Sequence, residues 1–244
     1  MGKIYVVGMG PGREEGMTLE ARKALSVSEV LIGYTVYIDL LREQYPEKTL
    51  LTTGMKQEVE RCRLCLEQAE SGKTVSLICS GDAGVYGMAS LMLEVAENAP
   101  GIEIEIVAGV TAALSGSALL GAPVGHDFCV ISLSDLLTPW EVIEQRLRAA
   151  AAGDFVMVIY NPRSRSRADH LRRACEILLE TLPGSRPCGL ARNIGRDGEA
   201  RELCTLEELK DKDADMFTTV FIGNSMTKEV SGRLVTPRGY RRDE

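Results

Sequence analysis

A short segment, GDAGVYG at positions 81–87, combines one carboxylate with three glycines. The apolar run before it, TVSLIC at 74–79, has the length and composition of a buried strand, so the glycines come where that strand ends. Glycine lets a ligand approach the backbone closely, and Asp82 can accept hydrogen bonds from hydroxyl or ammonium groups. The segment predicts a ligand-binding loop, although aspartate and glycine are also ordinary turn formers and a simple turn stays open as an alternative.

Five further segments rich in turn residues follow predicted strands. They are GMGPG at 8–12, AGVTA at 108–112, SLSD at 132–135, YNPRS at 160–164 and NIG at 193–195. Ligands of parallel α/β sheets bind outside the carboxyl ends of the strands, where loops are free to vary. We therefore expect all six segments to converge on one edge and to form a binding site there.

Positive charge is concentrated in one stretch of an acidic chain. The formal net charge is −7, yet one loop and the helix after it contain Arg163, Arg165, Arg167, Arg172 and Arg173. Guanidinium groups pair well with carboxylates, so the stretch suits an acidic ligand. For Arg172 and Arg173 a solvated helix face is an equal alternative, because the apolar stripe of that helix points the other way. Arg163, in the loop, is the better candidate for a ligand contact.

The elements that must position these loops alternate between strands and helices. The periodicity predicts strands at 3–7, 30–32, 74–79, 103–107, 128–133, 155–160, 188–192 and 217–222, and helices at 18–25, 56–69, 89–97, 111–119, 140–151, 168–182 and 206–209. Strands separated by helices indicate crossovers and mainly parallel sheets, so the fold class is α/β. LGAP at 120–123 breaks a helix before a new series of strands, which predicts two α/β domains, 1–120 and 121–244.

Composition argues against several classes of protein. An acidic net charge disfavours a nucleic-acid binder, and the chain has no apolar run of 18 residues, so we expect neither nucleic-acid nor membrane partners. The start of the sequence lacks the pattern of a signal peptide, so we expect a cytoplasmic protein. The seven cysteines are scattered through apolar segments, which favours reduced and mostly buried thiols.

Metal and nucleotide sites are also disfavoured. Cys62 and Cys65 form a C-x-x-C within a helical pattern, where two inward-facing thiols are a better interpretation than a redox or metal site. With two histidines in the whole chain, we expect no metal site. GMGPG has Arg13 where a dinucleotide fingerprint needs glycine, and SGKT at 71–74 follows a helix instead of a strand, so neither predicts a phosphate loop.

GMGPG, GDAGVYG and AGVTAALSG (108–116) together resemble the tetrapyrrole methylases, the class III methyltransferases that use S-adenosylmethionine. The resemblance covers essentially the whole chain. GYTVYIDL (33–40), ISLSDLLTPW (131–140), YNPRSRSR (160–167) and VTPRGY (235–240) are similar to the branch that methylates precorrin-3B, or its cobalt-containing counterpart, at carbon 17. Alternatives that remain are a family member acting at a different ring carbon or on ribosomal RNA, and a nucleotide-binding module without catalysis.

The resemblance implies where the cofactor and substrate bind. S-adenosylmethionine would be held in a cleft between the two domains by Pro11, Gly81, Asp82, Val85, Thr111, Ala112, Asn161, Asn193, Ile194 and Gly195. Ala83 stands where the family usually has proline. A precorrin carries acetate and propionate groups around its rim, so the resemblance makes Arg163 and Arg165 candidate substrate contacts.

The resemblance also implies the reaction, which is methylation at carbon 17 coupled to contraction of the macrocycle toward the precorrin-4 level. Methyl transfer from a sulfonium needs alignment and exclusion of water, without a metal or a strong base. Ring contraction moves protons, and by loop position alone Ser134, Asp135 and Tyr34 are candidates for a general acid or base, each of which is also compatible with a structural role. Any cobalt would belong to the substrate. The resemblance further implies a homodimer.

Overall fold

The computed structural model describes residues 2–99, 101–164 and 167–240. The chain divides into two compact units, Met1–Thr111 and Ala112–Glu244. This division comes one helix earlier than the expected boundary at residue 120. The helix in question, α5 (Ala112–Leu120), packs against strands of the second unit, and Gly116 lies so close to the ring of Phe221 that a Cβ there would be 2.9 Å from it.

The first unit contains one five-stranded parallel sheet. Its strands are β1 (Lys3–Gly8), β2 (Val30–Tyr34), β3 (Thr49–Thr53), β4 (Thr74–Cys79) and β5 (Glu103–Val107), in the order β3-β2-β4-β1-β5. Its helices are α1 (Leu19–Val27), α2 (Thr35–Asp39), α3 (Glu58–Glu70) and α4 (Ala89–Val95). The parallel sheet confirms the α/β prediction for this half of the chain.

Local sequence explains most of these elements. The Thr18 side chain accepts a hydrogen bond of 3.0 Å from the Ala21 N–H and caps α1. Cys62, Cys65 and Ala69 recur on one face of α3 and are buried against the sheet. The periodicity of the sequence does not predict β3, because this edge strand is half exposed and its short sequence, TLLTT, has no buried apolar run.

The second unit contains a five-stranded sheet and a small three-stranded one. Its strands are β6 (Gly121–Ala122), β7 (Phe128–Ser132), β8 (Val156–Tyr160), β9 (Pro187–Arg192), β10 (Ala200–Thr205), β11 (Thr218–Ile222), β12 (Lys228–Val230) and β13 (Arg233–Val235). The sheet orders are β10-β9-β11-β8-β7 and β12-β13-β6. Its remaining helices are α6 (Trp140–Ala152), α7 (His170–Leu179) and α8 (Leu206–Leu209).

The prediction of mainly parallel sheets is wrong for the second unit. β7 and β8 pair in parallel, whereas β8 with β11, β11 with β9, and β9 with β10 are antiparallel. The helices between predicted strands do join strands of the same direction, but β11 is inserted between β8 and β9 in the opposite direction. The periodicity does not predict β10 either, because ARELCT is a half-exposed edge strand without an apolar run.

Strand directions decide where the six loops lie. In the first sheet β1, β4 and β5 are neighbours and parallel, so GMGPG, GDAGVYG and AGVTA follow strands at one sheet edge. In the second sheet β9 runs in the same direction as β7 and β8, because two antiparallel steps restore the direction. SLSD, YNPRS and NIG therefore follow strands at the corresponding edge of the second sheet. The six loops therefore lie at two sheet edges, three in each unit, and not at the single edge that the sequence predicts.

Within the described residues, no helix has both the length and the apolarity needed to cross a membrane.

Candidate functional site

In the first unit, the three strand-end loops are packed backbone against backbone. Gly10 and Gly81 exchange two hydrogen bonds, with N···O distances of 3.0 and 2.8 Å. A Cβ on Gly8 would lie 2.7 Å from the Gly81 carbonyl oxygen, and one on Gly109 would lie 2.1 Å from the same oxygen. Glycine is required at both positions by this close approach, so the loops present backbone where other residues would place side chains.

The carboxylate of Asp82 holds this arrangement together. Oδ1 accepts hydrogen bonds from the N–H groups of Gly84 and Val85, at 2.8 and 3.2 Å. Oδ2 accepts one from the Gly109 N–H at 2.9 Å. Asp82 therefore shapes its own loop and ties it to the loop after β5. We expect it to affect ligand binding mainly by positioning the backbone of these loops.

The remaining candidates of the first unit lie around these loops. Pro11, Val85 and Thr111 are half-buried, and Ala83 is fully buried. Tyr34 lies at the carboxyl end of β2, and its ring packs edge-on against that of Tyr37, with centroids 5.4 Å apart. This contact gives Tyr34 a packing role.

At the strand-end edge of the second unit, a hydrogen-bonded group joins β7 to β8. Asn161 donates from Nδ2 to Ser132 Oγ at 2.9 Å, and the Ser134 N–H donates to the same oxygen at 3.2 Å. Asn161 has a positive φ of 52°, a conformation that asparagine adopts more readily than most residues. The Asn161 side chain is thereby fixed at the end of β8.

The start of α5 is attached to the same edge. The Ala113 N–H donates to the Tyr160 hydroxyl oxygen at 2.6 Å, which satisfies one of the unpaired amides in the first turn of the helix. Ala112, the first residue of α5, is half-buried. Tyr160 was not singled out by sequence, since a tyrosine at a strand end gives no signal of this contact.

Asn193, Ile194 and Gly195 form a tight turn after β9. Asn193 and Gly195 have positive φ values of 49° and 67°. The Gly195 N–H donates to Glu199 Oε2 at 2.7 Å, and the Ile194 side chain lies within reach of Gly116 in α5. The turn is fixed by its own contacts, in the same way as the loops of the first unit.

Several arginines of the stretch 163–173, which the sequence offers as contacts for an acidic ligand, already have partners within the protein. Arg163 pairs with Asp213 at 2.6 Å, and Arg172 pairs with Asp211 at 2.7 Å. Arg173 lies over the ring of Trp140, 4.0 Å from its centroid. Arg165 lies outside the described residues.

Asp135 and His170 form a pair beside this stretch. His170 is buried, and its Nε2 donates to Asp135 Oδ2 at 3.0 Å, while its Nδ1 lies 3.4 Å from Asp169 Oδ1. The hydrogen bond from His170 holds the pKa of the Asp135 carboxyl below its ordinary value. Trp140 packs edge-on against the imidazole, with ring centroids 4.8 Å apart. Asp135 is therefore an ionised group with a fixed partner.

The cysteines are free thiols, and five of the seven are buried, which confirms that interpretation. Burial raises the pKa of Cys62 and of Cys79 to about 11 each, so these thiols stay protonated near neutral pH. In the described part of the chain, no group of three or more histidine, cysteine, aspartate or glutamate side chains is arranged to hold a metal ion.

A family model for tetrapyrrole (corrin/porphyrin) methylases matches residues 3–210, which is most of the sequence. This chain belongs to the tetrapyrrole methylase family. Among curated relatives of this tetrapyrrole methylase, the "Probable cobalt-factor III C(17)-methyltransferase" of Salmonella typhimurium is 45% identical over 97% of this chain and 99% of its own length. The "Precorrin-3B C(17)-methyltransferase" of a Sinorhizobium species is 40% identical over 98% of this chain and 97% of its own.

Solved structures agree with the fold of this tetrapyrrole methylase. The methyltransferase CobJ is 41% identical and superimposes with a TM-score of 0.90, covering 97% of this chain and all of its own. A uroporphyrin-III C-methyl transferase from Thermus thermophilus, solved with S-adenyl homocysteine, is 22% identical with a TM-score of 0.72, covering 91% of this chain and 97% of its own. At that identity the second match shows the fold alone.

Proposed function

We propose that the protein transfers a methyl group from S-adenosylmethionine to carbon 17 of a corrin precursor and contracts the macrocycle, converting precorrin-3B, or its cobalt-containing counterpart, to the precorrin-4 level. The observation that carries this proposal is the near full-length similarity to a relative named for methylation at C(17). The family to which the chain belongs methylates corrins and porphyrins. Cobalt, where present, arrives as part of the substrate.

The loops of the first unit fit the proposed cofactor. Gly8, Gly81 and Gly109 pack backbone against backbone at the ends of β1, β4 and β5, and the adjoining residues Gly84 and Ala108 are exposed, so backbone groups face outward there. Half-buried Pro11 and Val85 supply apolar atoms beside them. A backbone surface with apolar flanks suits a ligand that combines an adenine ring with an amino acid end. We assign Pro11, Gly81, Asp82, Val85 and Thr111 to the cofactor on this basis.

Residues of the second unit complete the proposed set. Asn161, Asn193 and Gly195 are held in positive-φ conformations, and Ala112 is the first residue of α5. Ile194 adds an apolar side chain next to α5. Their assignment to the cofactor follows the family resemblance and is testable residue by residue.

In the proposed mechanism the chain acts by positioning. Bound S-adenosylmethionine supplies an electrophilic methyl group. The glycine loops, braced by Asp82, fix the donor, and arginines of the loop before α7 orient the carboxylates of the macrocycle, so that the nucleophilic carbon faces the methyl group. Asp135, hydrogen-bonded to His170, and Ser134, which precedes it in the chain, remain the candidates for moving a proton during contraction. We assign no proton step to Tyr34, whose ring is packed on Tyr37.

The experiment that tests the proposal is anaerobic incubation with S-adenosylmethionine and either precorrin-3B or cobalt-factor III. Product mass and absorbance are measured in both incubations. A gain of one methyl group with a contracted chromophore on either substrate supports the proposal, and the substrate that reacts identifies the route. No methyl gain on either, while S-adenosylhomocysteine still binds, assigns the protein to a different substrate.

The non-catalytic alternative has its own test. A nucleotide-binding module would be stabilised in a thermal melt by ATP or NAD, whereas the proposed enzyme is stabilised by S-adenosylhomocysteine. We also propose a homodimer, as the resemblance implies, and a monomer mass by light scattering at micromolar concentration contradicts that part.

A further inference from the structure

The arginines of the stretch 163–173 differ in what occupies their guanidinium groups. Arg163 and Arg172 have carboxylate partners, and Arg173 lies over an aromatic ring. Arg167 has neither. Its Nη1 donates to Ser134 Oγ at 3.0 Å, and its shortest distance to a described carboxylate is 4.0 Å, from Nη1 to Asp135 Oδ1. That distance is too long for a hydrogen bond.

The unused part of Arg167 is one edge of the guanidinium. Nε is buried and has no hydrogen-bond partner, and no described residue accepts a hydrogen bond from Nη2. The Nε and Nη2 donors point the same way and form the edge that takes a carboxylate through two parallel hydrogen bonds. The side chain is only 12% exposed, so leaving this edge without an acceptor is costly.

The carboxylate nearest to Arg167 is hydrogen-bonded to a histidine. Asp135 follows β7, and Arg167 follows the neighbouring strand β8. Oδ2 of Asp135 accepts a hydrogen bond of 3.0 Å from His170 Nε2. His170 is itself fixed by burial and by the ring of Trp140. The imidazole therefore holds one oxygen of Asp135, and Arg167 keeps only a long contact of 4.0 Å from Nη1 to the other oxygen, Oδ1.

We propose that Arg167 binds a carboxylate of the tetrapyrrole through its Nε–Nη2 edge, and that His170 is a positioning residue that keeps Asp135 from occupying that edge. The inference rests on the proposed function for the identity of the acid, and it makes Arg167 the substrate contact in place of the paired Arg163. Substrates with acetate and propionate groups supply the missing acceptor.

The first test compares Arg167→Ala, Arg167→Lys and Arg172→Ala, the last being a control that removes a nearby, already paired and exposed arginine. Binding of uroporphyrin III, an octacarboxylate tetrapyrrole, is titrated by absorbance, and KM for the substrate is measured where turnover occurs. Loss of a bidentate pair to a charged group is expected to weaken binding about tenfold or more in Arg167→Ala. Arg167→Lys keeps the charge but not the fork and should lie between Arg167→Ala and wild type. S-adenosylhomocysteine affinity should stay unchanged in all three.

The second test releases Asp135. His170→Leu removes the hydrogen-bond donor at similar size, so Asp135 is expected to pair with Arg167 and weaken porphyrin binding. Adding Asp135→Asn to His170→Leu should restore binding, and His170→Gln, which retains an N–H donor, should bind better than His170→Leu. A role in folding alone does not predict this restoration. If His170→Leu fails to fold, judged by circular dichroism, the Arg167 series decides.

Two results overturn the proposal. One is wild-type protein that does not bind the porphyrin, and the other is Arg167→Ala that binds it no worse than Arg172→Ala. Because binding is measured without turnover, loss of the proposed function is seen separately, as wild-type protein that binds the porphyrin but methylates neither corrin precursor.

Discussion

The Gly109 N–H donates a hydrogen bond of 2.9 Å to Oδ2 of Asp82, and this contact joins the loop after β5 to the loop after β4. The other carboxylate oxygen of Asp82 holds the N–H groups of its own loop. Asp82 thus acts as a brace: its hydrogen bonds hold glycine-rich loops that have few side chains to fix their conformation. We expect it to act on ligand binding by holding shape.

Replacement of Asp82 tests this role. Asp82→Ala leaves three backbone N–H groups without their acceptor, and hydrogen bonds to charged groups contribute about 1.5–3 kcal/mol each when single partners are removed. We expect the free energy of unfolding to fall by about 2–4 kcal/mol, with weaker binding of S-adenosylhomocysteine. Urea titrations and calorimetry measure both. Asp39→Ala, which removes an exposed carboxylate paired with Arg42, is the matched control. Unchanged stability and affinity in Asp82→Ala would refute the brace.

The glycine at position 109 allows a sharper steric test. A Cβ there would lie 2.1 Å from the Gly81 carbonyl oxygen and 2.4 Å from that of Gly8, so Gly109→Ala must push the loops apart. Overpacking of this kind costs about 1–3 kcal/mol or more. We expect lower stability and a measurable loss of S-adenosylhomocysteine affinity. Gly54→Ala is the control, because the nearest atom to its Cβ is the end of the flexible Gln57 side chain at 3.1 Å. Equal behaviour of the two variants would contradict the close packing.

Tyr160→Phe removes one hydroxyl from the start of α5. The Ala113 N–H then loses the acceptor that it has at 2.6 Å. We expect a loss of about 1–2 kcal/mol in the free energy of unfolding, because a part-buried donor is left unsatisfied. Tyr45→Phe, in which the half-buried hydroxyl has no hydrogen-bond partner among the described residues, should change stability much less. The two melting curves decide between these outcomes.

The Asp135–His170 pair predicts a dependence of stability on pH. The pKa of Asp135 is lowered in the folded protein, chiefly by the hydrogen bond from His170, so the unfolded chain takes up the proton first as the pH falls. The stabilisation is present above the unfolded pKa of about 3.9 and is lost as the pH falls through the lower folded value. The stability difference between wild type and Asp135→Asn should therefore be constant above about pH 5 and shrink below about pH 4. A difference that does not change across this range would argue against the pair.

Sequence periodicity was sufficient for the buried parts of the fold. Runs such as TVSLIC and VMVIY are apolar over their whole length because both faces of those strands are covered, and they became β4 and β8. β3 and β10 carry polar residues in half-exposed edge positions and resemble loops in the sequence. Missing β10 also concealed the reversal of direction after β9, which is why the second sheet was predicted to be parallel.

For the candidate site, the sequence indicates which loops take part, but it does not indicate which partners their side chains contact. Glycine spacing marked GDAGVYG and AGVTA, since close backbone approach needs glycine whatever the partner. Arg163 pairs with Asp213, and Arg167 has only a long contact with Asp135, which is also hydrogen-bonded to His170. Both aspartates lie far from these arginines in the sequence. Such pairings arise from tertiary packing and leave no local pattern.

The most direct measurement of the central claim is carbon NMR of the product formed from S-adenosylmethionine labelled with carbon-13 in its methyl group. The account predicts one new labelled methyl, attached to carbon 17 of a contracted macrocycle, from precorrin-3B or from cobalt-factor III. A label on any other ring carbon, or a labelled macrocycle that keeps its original size, would contradict it.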